Sequence, residues 1–369
     1  MAGQGDSALR PLAGVSGVVT VLCTEIGPWV ASEADEHGFT NPPGQWDLPR
    51  VDLALIGDSF VEGQCVDPAA SFASLIRARY PATIVTGVSA AGPLVELGFL
   101  REYVARLKPR FLFWFYYEGN DLTDLEAEKR MPLILRYLEP GFSQGLALRQ
   151  AEVDARLKAI ATAAESIAVQ QRATLQAGPS LRWRVLASMK LWHLRTMIRD
   201  RLSVPDVACC DMALLARVLT RAAEDVRGWG GNVVVVYLPA QATLAGGRAA
   251  RQLPANAVDS VRAVVRKLGL PLLDLRDTLR NYGPVDSLFP YETAHLTERG
   301  QQIVAGIILR YLAGRDSLFA SCVPDIESNP DAVRARPRPL QRRRRPEREL
   351  PPCAAPPAFT VARPAAAPR

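Results

Sequence analysis

Val51–Gly63, VDLALIGDSFVEG, is the stretch on which the fold of this chain turns. Val51–Ile56 is a short, mostly apolar run that reads as a buried strand. It stops at Gly57, sets Asp58 and Ser59 on a turn, and is followed by a second apolar segment, Phe72–Ile76. Open α/β sheets present reactive groups at the carboxyl ends of their strands, and Ser59 sits at such an end. Alone, the Gly-Asp-Ser triplet says little, because all three residues are ordinary turn formers.

Working outward, the pattern of strand, loop and helix repeats. Thr83–Val88 is a second strand. Glu96–Leu107 reads as a helix that stops before Pro109. Arg110–Tyr117, RFLFWFYY, is dense in aromatics and bounded by Pro109 and Gly119, so it is the firmest strand of the chain. Asn232–Leu238, NVVVVYL, is continuously apolar, as expected when helices cover both sheet faces. Pro271–Leu275 is a shorter fifth strand. This alternation predicts an α/β fold with about five parallel strands, doubly wound.

The chain has 369 residues, of which 48% are hydrophobic and 22% charged, enough to bury a full core. Its net charge of +6 is concentrated at one end. Pro324–Arg369 holds ten Arg against five acids, which leaves 34 basic and 33 acidic groups for the first 323 residues. The body is nearly neutral, which argues against nucleic acid at the folded domain. The tail, residues 324–369, carries eleven prolines and the run RARPRPLQRRRR, a composition that predicts disorder. It can contact anionic surfaces or simply remain solvated. Residues 1–50 read as an irregular arm ending at the turn Asn41-Pro42-Pro43-Gly44. Within it, Leu12–Cys23 is a weak match to the apolar core of an export signal, interrupted by nearby Glu25. Cell envelope, periplasm and cytoplasm all stay open.

Between the third and fourth strands, about 122–211, lies far more chain than a βα connection needs. Val153, Leu157, Ile160, Ala164 and Ile167 form a helical stripe there. After Gly178-Pro179, a second helix over Leu181–Leu202 carries six Arg and Lys residues. A helical hairpin inserted over the carboxyl edge of the sheet is expected. Its basic face is either a solvated surface or a contact for a membrane or anionic polymer. The folded body therefore spans 51–318.

Few residues are available for chemistry. A serine hydroxyl needs a neighbouring base, and the chain has three histidines. His37 lies in the arm, and His193 in the basic helix. His295 falls in a loop between the last strand and an apolar helix, Ile303–Leu312, and so at the same sheet edge as Ser59. Glu292, three residues earlier, is a candidate to orient its ring, or else a solvent-facing loop residue. Gly119-Asn120-Asp121 closes the third strand, where the Asn120 amide can serve an oxyanion or only a turn. Asp58 and Asp121 read as local caps of their loops. The six cysteines match no zinc spacing, and Cys65 reads as a small buried apolar residue. No metal or cofactor is required, and no phosphate-binding glycine motif follows any strand.

Ser59, then Asn120, then an acid three residues before His295, in that order, resembles the SGNH (GDSL-type) esterase superfamily over roughly Val51–Leu312. FYYEGNDLTDLE is also similar to bacterial SGNH proteins linked to surface-polysaccharide modification. The resemblance implies a three-layer α/β/α, flavodoxin-like fold with a helical insertion. It implies Ser59 as nucleophile, Glu292 as orienter and His295 as general base and acid. The oxyanion hole would use Ser59 N–H, Ala90 N–H and Asn120, with Asp58, Gly119 and Asp121 in support. Two positions depart from the family: Glu292 stands where Asp is usual, and Ala90 where Gly is usual. The expected activity is cleavage or transfer of a small acyl group on a carbohydrate ester. The alternative is a carbohydrate- or ligand-binding module with weakened catalysis.

Overall fold

The computed structural model describes residues 9–23, 29–176, 211–246, 255–290 and 295–315. The first described segments correct the expectation of an irregular arm. Strands β1 (Val19–Cys23) and β2 (Val30–Glu33) pair antiparallel, and the arm around them is packed into the body. It folds because it supplies core: Leu9, Leu12, Ala13, Phe39 and Trp46 are buried in the same cluster as the sheet residues. Asp35 ties it together. Its carboxylate accepts hydrogen bonds from His37 N–H (2.8 Å), Phe39 N–H (2.9 Å), Asn41 Nδ2 (2.8 Å) and Trp46 Nε1 (2.7 Å). Four donors satisfy a carboxylate whose burial would otherwise be costly. The stretch that matched an export signal, Leu12–Cys23, is thus built into the fold. His37 is structural: Arg106 Nη2 donates to its Nε2 at 2.8 Å, and Gln150 Oε1 lies 3.3 Å from its Nδ1.

The five expected strands are present within a residue or two. They are β3 (Leu53–Gly57), β4 (Thr83–Gly87), β5 (Phe111–Tyr117), β6 (Asn232–Leu238) and β7 (Leu272–Asp274). All pair parallel in one sheet of order β4-β3-β5-β6-β7. Counted from β3 this is 2-1-3-4-5, the flavodoxin-type order, whose switch point lies between β3 and β5. Alternate side chains explain the three layers. Ala54, Ile56, Leu112, Trp114, Val233 and Val235 face one helical layer, and their neighbours Leu55, Phe113 and Val234 are buried on the other face. A sheet buried on both faces must read as continuous apolar runs.

Short helices follow the strands: α1 (Ser59–Glu62), α2 (Phe72–Arg77) and α3 (Pro93–Phe99). The expected helix over Glu96–Leu107 is composite. It passes through a π turn (Leu100–Val104) and a 3-10 turn (Ala105–Leu107), then ends at Lys108 with φ +51°. Pro109 disfavours a helical conformation at the residue before it. After β5 come α4 (Asp121–Glu128), α5 (Pro132–Leu135) and α6 (Gln150–Gln176), the first part of the expected insertion. The apolar stripe of α6 is only partly used. Val153 is buried and Leu157 packs on the core, but Ile160 is 54% exposed. The second expected helix, with His193, and the tail 324–369 lie outside the described residues.

The sheet is completed by α7 (Met212–Gly228), α8 (Gln241–Ala245), α9 (Ala255–Lys267) and α10 (Leu275–Asn281). Leu214, Leu215, Val218, Leu219, Ala222 and Val226 recur at helical spacing on α7 and are all buried. Helix α11 (Glu298–Ala313) runs from the first compact unit, Met1–Ala305, into a second that begins at Gly306. In that second unit Ile308 and Leu312 are buried and the Arg315 guanidinium lies over the Tyr311 ring at 5.0 Å. No helix among the described residues is long and apolar enough to cross a membrane.

Candidate active site

The site forms where β3 and β5 end, beside the switch point. Strand β3 delivers Ser59 as the first residue of α1, with Asp58 as the cap: its carboxylate accepts Phe60 N–H at 3.0 Å. Placing a helix directly after the strand requires close backbone approach. A Cβ on Gly87, at the end of neighbouring β4, would stand 2.3 Å from Glu62 N and 2.6 Å from Val61 C. Only glycine fits there.

His295 reaches this edge from the far end of the sequence. Leu296 is fully buried beside it, and Thr297 N–H donates to Leu288 O at 2.8 Å, so the loop is pinned on its carboxyl side. The Phe60 ring packs 5.2 Å from the imidazole and 4.2 Å from Tyr117. The result is direct: His295 Nε2 lies 2.9 Å from Ser59 Oγ, across 236 residues of chain. Ser59 is buried to 8% exposure, which limits bulk water at its hydroxyl. Glu292 lies outside the described residues. Among those described, the group near the other ring nitrogen is Cys65 Sγ, 3.7 Å from His295 Nδ1.

Cys65 is a correction. It is not a free apolar residue but forms a disulfide with Cys23 of β1. The bond joins the arm to the loop just after α1, and Cys65 itself holds φ +62°. Ala90 is a second non-glycine residue in this region with positive φ, at +59°. Strained conformations collect where surrounding structure over-determines them, often at functional sites. Ala90 is exposed, in the turn after β4 closed by Ala91 N–H donating to Val88 O at 3.1 Å.

Two residues after β5 comes Gly119, which touches the Tyr117 ring so closely that a Cβ would stand 2.4 Å from it. Asn120 follows, half-buried, and opens α4. One amide hydrogen goes to Asp124 Oδ2 at 2.8 Å, and a hydrogen bond from the same side chain also acts to lower the pKa of Asp58. Asp121 accepts Tyr117 N–H at 2.9 Å and is fully buried.

Carboxyl groups crowd beneath these loops. Burial, with the charge of Asp124 adding to it, raises the pKa of Asp58. Burial, then Asp58, raises that of Asp121 against the donated Tyr117 N–H. Glu96 is fully buried, and burial with Asp121, Asp58 and Glu128 around it pushes its pKa far up, against a hydrogen bond from the Trp114 side chain. Burial brings Glu128 to about 7 even though it accepts two backbone N–H groups. Such a cluster cannot ionise together and holds protons at neutral pH. No group of three metal-ligating side chains occurs among the described residues. A cavity of about 510 Å³ shares no residue with Ser59 or its partners; it is lined by Leu9, Arg10, Met131, Arg156 and Ile160 among others.

The fold and this edge define a class: a parallel α/β protein that presents a serine to a histidine at its topological switch point. No family model matches the sequence, and no curated protein matches it. Solved structures do. A lipase/acylhydrolase from Enterococcus faecalis aligns at 14% identity over 72% of this chain and 96% of its own, with a TM-score of 0.39. An acetylxylan esterase from Geobacillus stearothermophilus aligns at 10% identity over 70% and 93%, with a TM-score of 0.39. A member of the lipolytic G-D-S-L family from Veillonella parvula aligns at 12% identity over 70% and 97%, with a TM-score of 0.37. The case for chemistry rests on the chain's own side chains.

The sequence brought forward Ser59, His295, Asn120, Ala90, Asp58, Gly119 and Asp121. All lie on the loops after β3, β4, β5 and β7, at one end of the sheet. It missed Cys23 and Cys65 as a pair, and the carboxylates Glu62, Asp124 and Glu128 that hold the loops. A disulfide between scattered cysteines has no sequence signature. Glu128 sits one helical turn beyond Asp124, which itself sits one turn beyond Asn120. That spacing is a face of α4, but nothing in it says which loop the face meets.

Proposed function

We propose that this protein is a serine esterase or acyltransferase acting on small O-acyl esters, acetyl-like and borne by a carbohydrate, through an acyl-serine intermediate. The observation that carries the reading is the 2.9 Å contact between His295 Nε2 and Ser59 Oγ at the carboxyl edge of the sheet. Ser59 Oγ attacks the ester carbonyl carbon while its proton passes to Nε2. The negative charge then on the carbonyl oxygen is met by the N–H of Ser59, the N–H of Ala90 and the side-chain amide of Asn120. Collapse expels the sugar alkoxide, which takes the proton from His295. Water or a second sugar hydroxyl, deprotonated by the same nitrogen, releases the acyl group. Glu292 is the proposed acceptor for Nδ1–H. Small acyl groups are favoured because the Phe60 ring, backed by Tyr117, packs against His295.

A second reading keeps the fold but weakens the chemistry: a carbohydrate- or ligand-binding module. What favours it is that Asn120 already gives a hydrogen to Asp124, and that a Cβ is present at Ala90 with φ +59°. A fluorophosphonate probe separates the two. Esterase activity requires labelling of the wild type that is lost in Ser59→Ala, together with hydrolysis of p-nitrophenyl acetate faster than of longer esters. A wild type that is not labelled leaves the binding module.

A further inference from the structure

The turn after β4, residues 88–92, is held from both sides by carboxylates that the chemistry above does not use. On one side is Glu62, the last residue of α1. Its Oε2 accepts Ser89 N–H at 3.1 Å and Ser89 Oγ–H at 2.6 Å, and Gln64 Nε2 joins the group at 3.3 Å. On the other side is Glu128, the last residue of α4. Its Oε1 accepts Gly92 N–H at 2.7 Å and its Oε2 accepts Leu94 N–H at 2.9 Å. Contact on this side is tight in the steric sense too. A Cβ on Gly92 would stand 2.7 Å from Asp124 Cβ and 2.9 Å from Glu128 Oε2.

Helix α1 begins with Ser59 and α4 is led by Asn120, while Ala90 lies between the two anchored ends of the turn. We infer that Glu62 and Glu128 are positioning residues: they lock the Ala90 turn to the helix of the nucleophile and to the helix of the oxyanion amide. The three proposed oxyanion donors are thereby one rigid unit. The inference rests on the reading of Ser59, Ala90 and Asn120 given above. It explains how alanine keeps a left-handed conformation that glycine would adopt without penalty: Ser89 and Gly92, on either side, have their N–H groups fixed by the carboxyl oxygens of Glu62 and Glu128. It also explains why carboxylates are retained in a crowded acidic region. Both oxygens of Glu128 accept from backbone, which an amide side chain cannot do, because its NH2 would face an N–H.

The test uses Glu128→Gln, which is nearly isosteric, with Glu62→Gln and Ser89→Ala as independent variants, and Glu126→Gln on the same helix as control. Glu126 touches Lys129 and Asp211 N–H instead of the turn. The expected result for Glu128→Gln is a kcat about 10- to 100-fold lower with KM within about twofold, since a displaced donor serves only the developing charge. Affinity for an arylboronic acid, which forms a tetrahedral adduct on serine, falls by the same factor. Glu62→Gln and Ser89→Ala lower kcat about 3- to 10-fold, and Glu126→Gln leaves both constants unchanged. The inference is overturned if Glu128→Gln turns over like wild type. It is equally overturned if kcat and KM worsen together without loss of boronate affinity. Should Glu128→Gln fail to fold, unchanged kcat in both Glu62→Gln and Ser89→Ala overturns it alone. A wild type that fluorophosphonate does not label at Ser59 removes the underlying reading instead, so the two failures are distinct.

Discussion

Breaking the Cys23–Cys65 bond is the perturbation whose size can be worked most directly. The two cysteines are 42 residues apart in sequence, and their bond closes the arm onto the loop after α1. Releasing a loop of that length returns entropy to the unfolded chain worth about 4 kcal/mol at 25 °C in the chain-entropy treatment. The folded state should change little. The arm stays anchored by the four hydrogen bonds to Asp35 and by buried Leu12, Phe39 and Trp46. The cost therefore falls on the unfolded side. For a body of this size about 4 kcal/mol corresponds to a melting temperature lower by roughly 8–16 °C. The assay is equilibrium urea unfolding of the wild type, oxidised and reduced with dithiothreitol, and of a Cys23→Ala/Cys65→Ala variant. Mass spectrometry of the linked peptide confirms the bond in the oxidised sample. Reduced wild type and the double variant should agree within about 1 kcal/mol, because loop entropy is common to both and only small packing differences separate them. A linked peptide accompanied by a shift below about 1 kcal/mol would refute the reasoning. A double variant far worse than the reduced protein would assign the effect to packing.

Ser59→Ala and His295→Ala should each lower ester hydrolysis by at least about 10³-fold while leaving the urea midpoint near that of wild type; full activity in either variant removes the mechanism. Gly87→Ala places a methyl group against Val61 and Glu62 backbone, and should cost about 1–3 kcal/mol by urea unfolding and lower kcat as α1 shifts; an unchanged midpoint would mean that α1 is not seated as described. Asp58, Glu96, Asp121 and Glu128 all have raised carboxyl pKa values, so the folded protein holds protons that the unfolded chain has released. Stability should then fall as pH rises from about 4, the ordinary carboxylate range, through about 7, where Glu128 titrates. Glu96→Gln should flatten that decline and raise stability at pH 7; a midpoint that rises with pH over this window contradicts the assignment.

The sequence exposed the sheet because burial on both faces leaves no choice of residue type. NVVVVYL and RFLFWFYY have no plausible place except between two helical layers, and both became strands at the positions read. The strand order was reached only through the family resemblance; alternation of strands and helices argued no more than a parallel, doubly wound sheet. The arm was misread for the same reason in reverse. VTVLC and VASE are short, and three of the five residues of β1 are exposed, so neither offers a run long or apolar enough to be read as a strand. What orders them is Asp35, one carboxylate with four donors, and a covalent bond to Cys65, and neither leaves a periodic trace. At the site the distinction sharpens. Ser59, Asn120 and His295 were legible because the proposed chemistry calls for those side chains by type. The residues that hold them are required only by position: Glu62 and Glu128 would look like any solvent-facing glutamate at a helix end. They are recognisable as internal ties only once the turn between them, with Ala90 held at positive φ, is seen to need both. The proposed reacting groups can thus be read from residue type and order, whereas the bonds that would hold them in place are a property of the assembled loops.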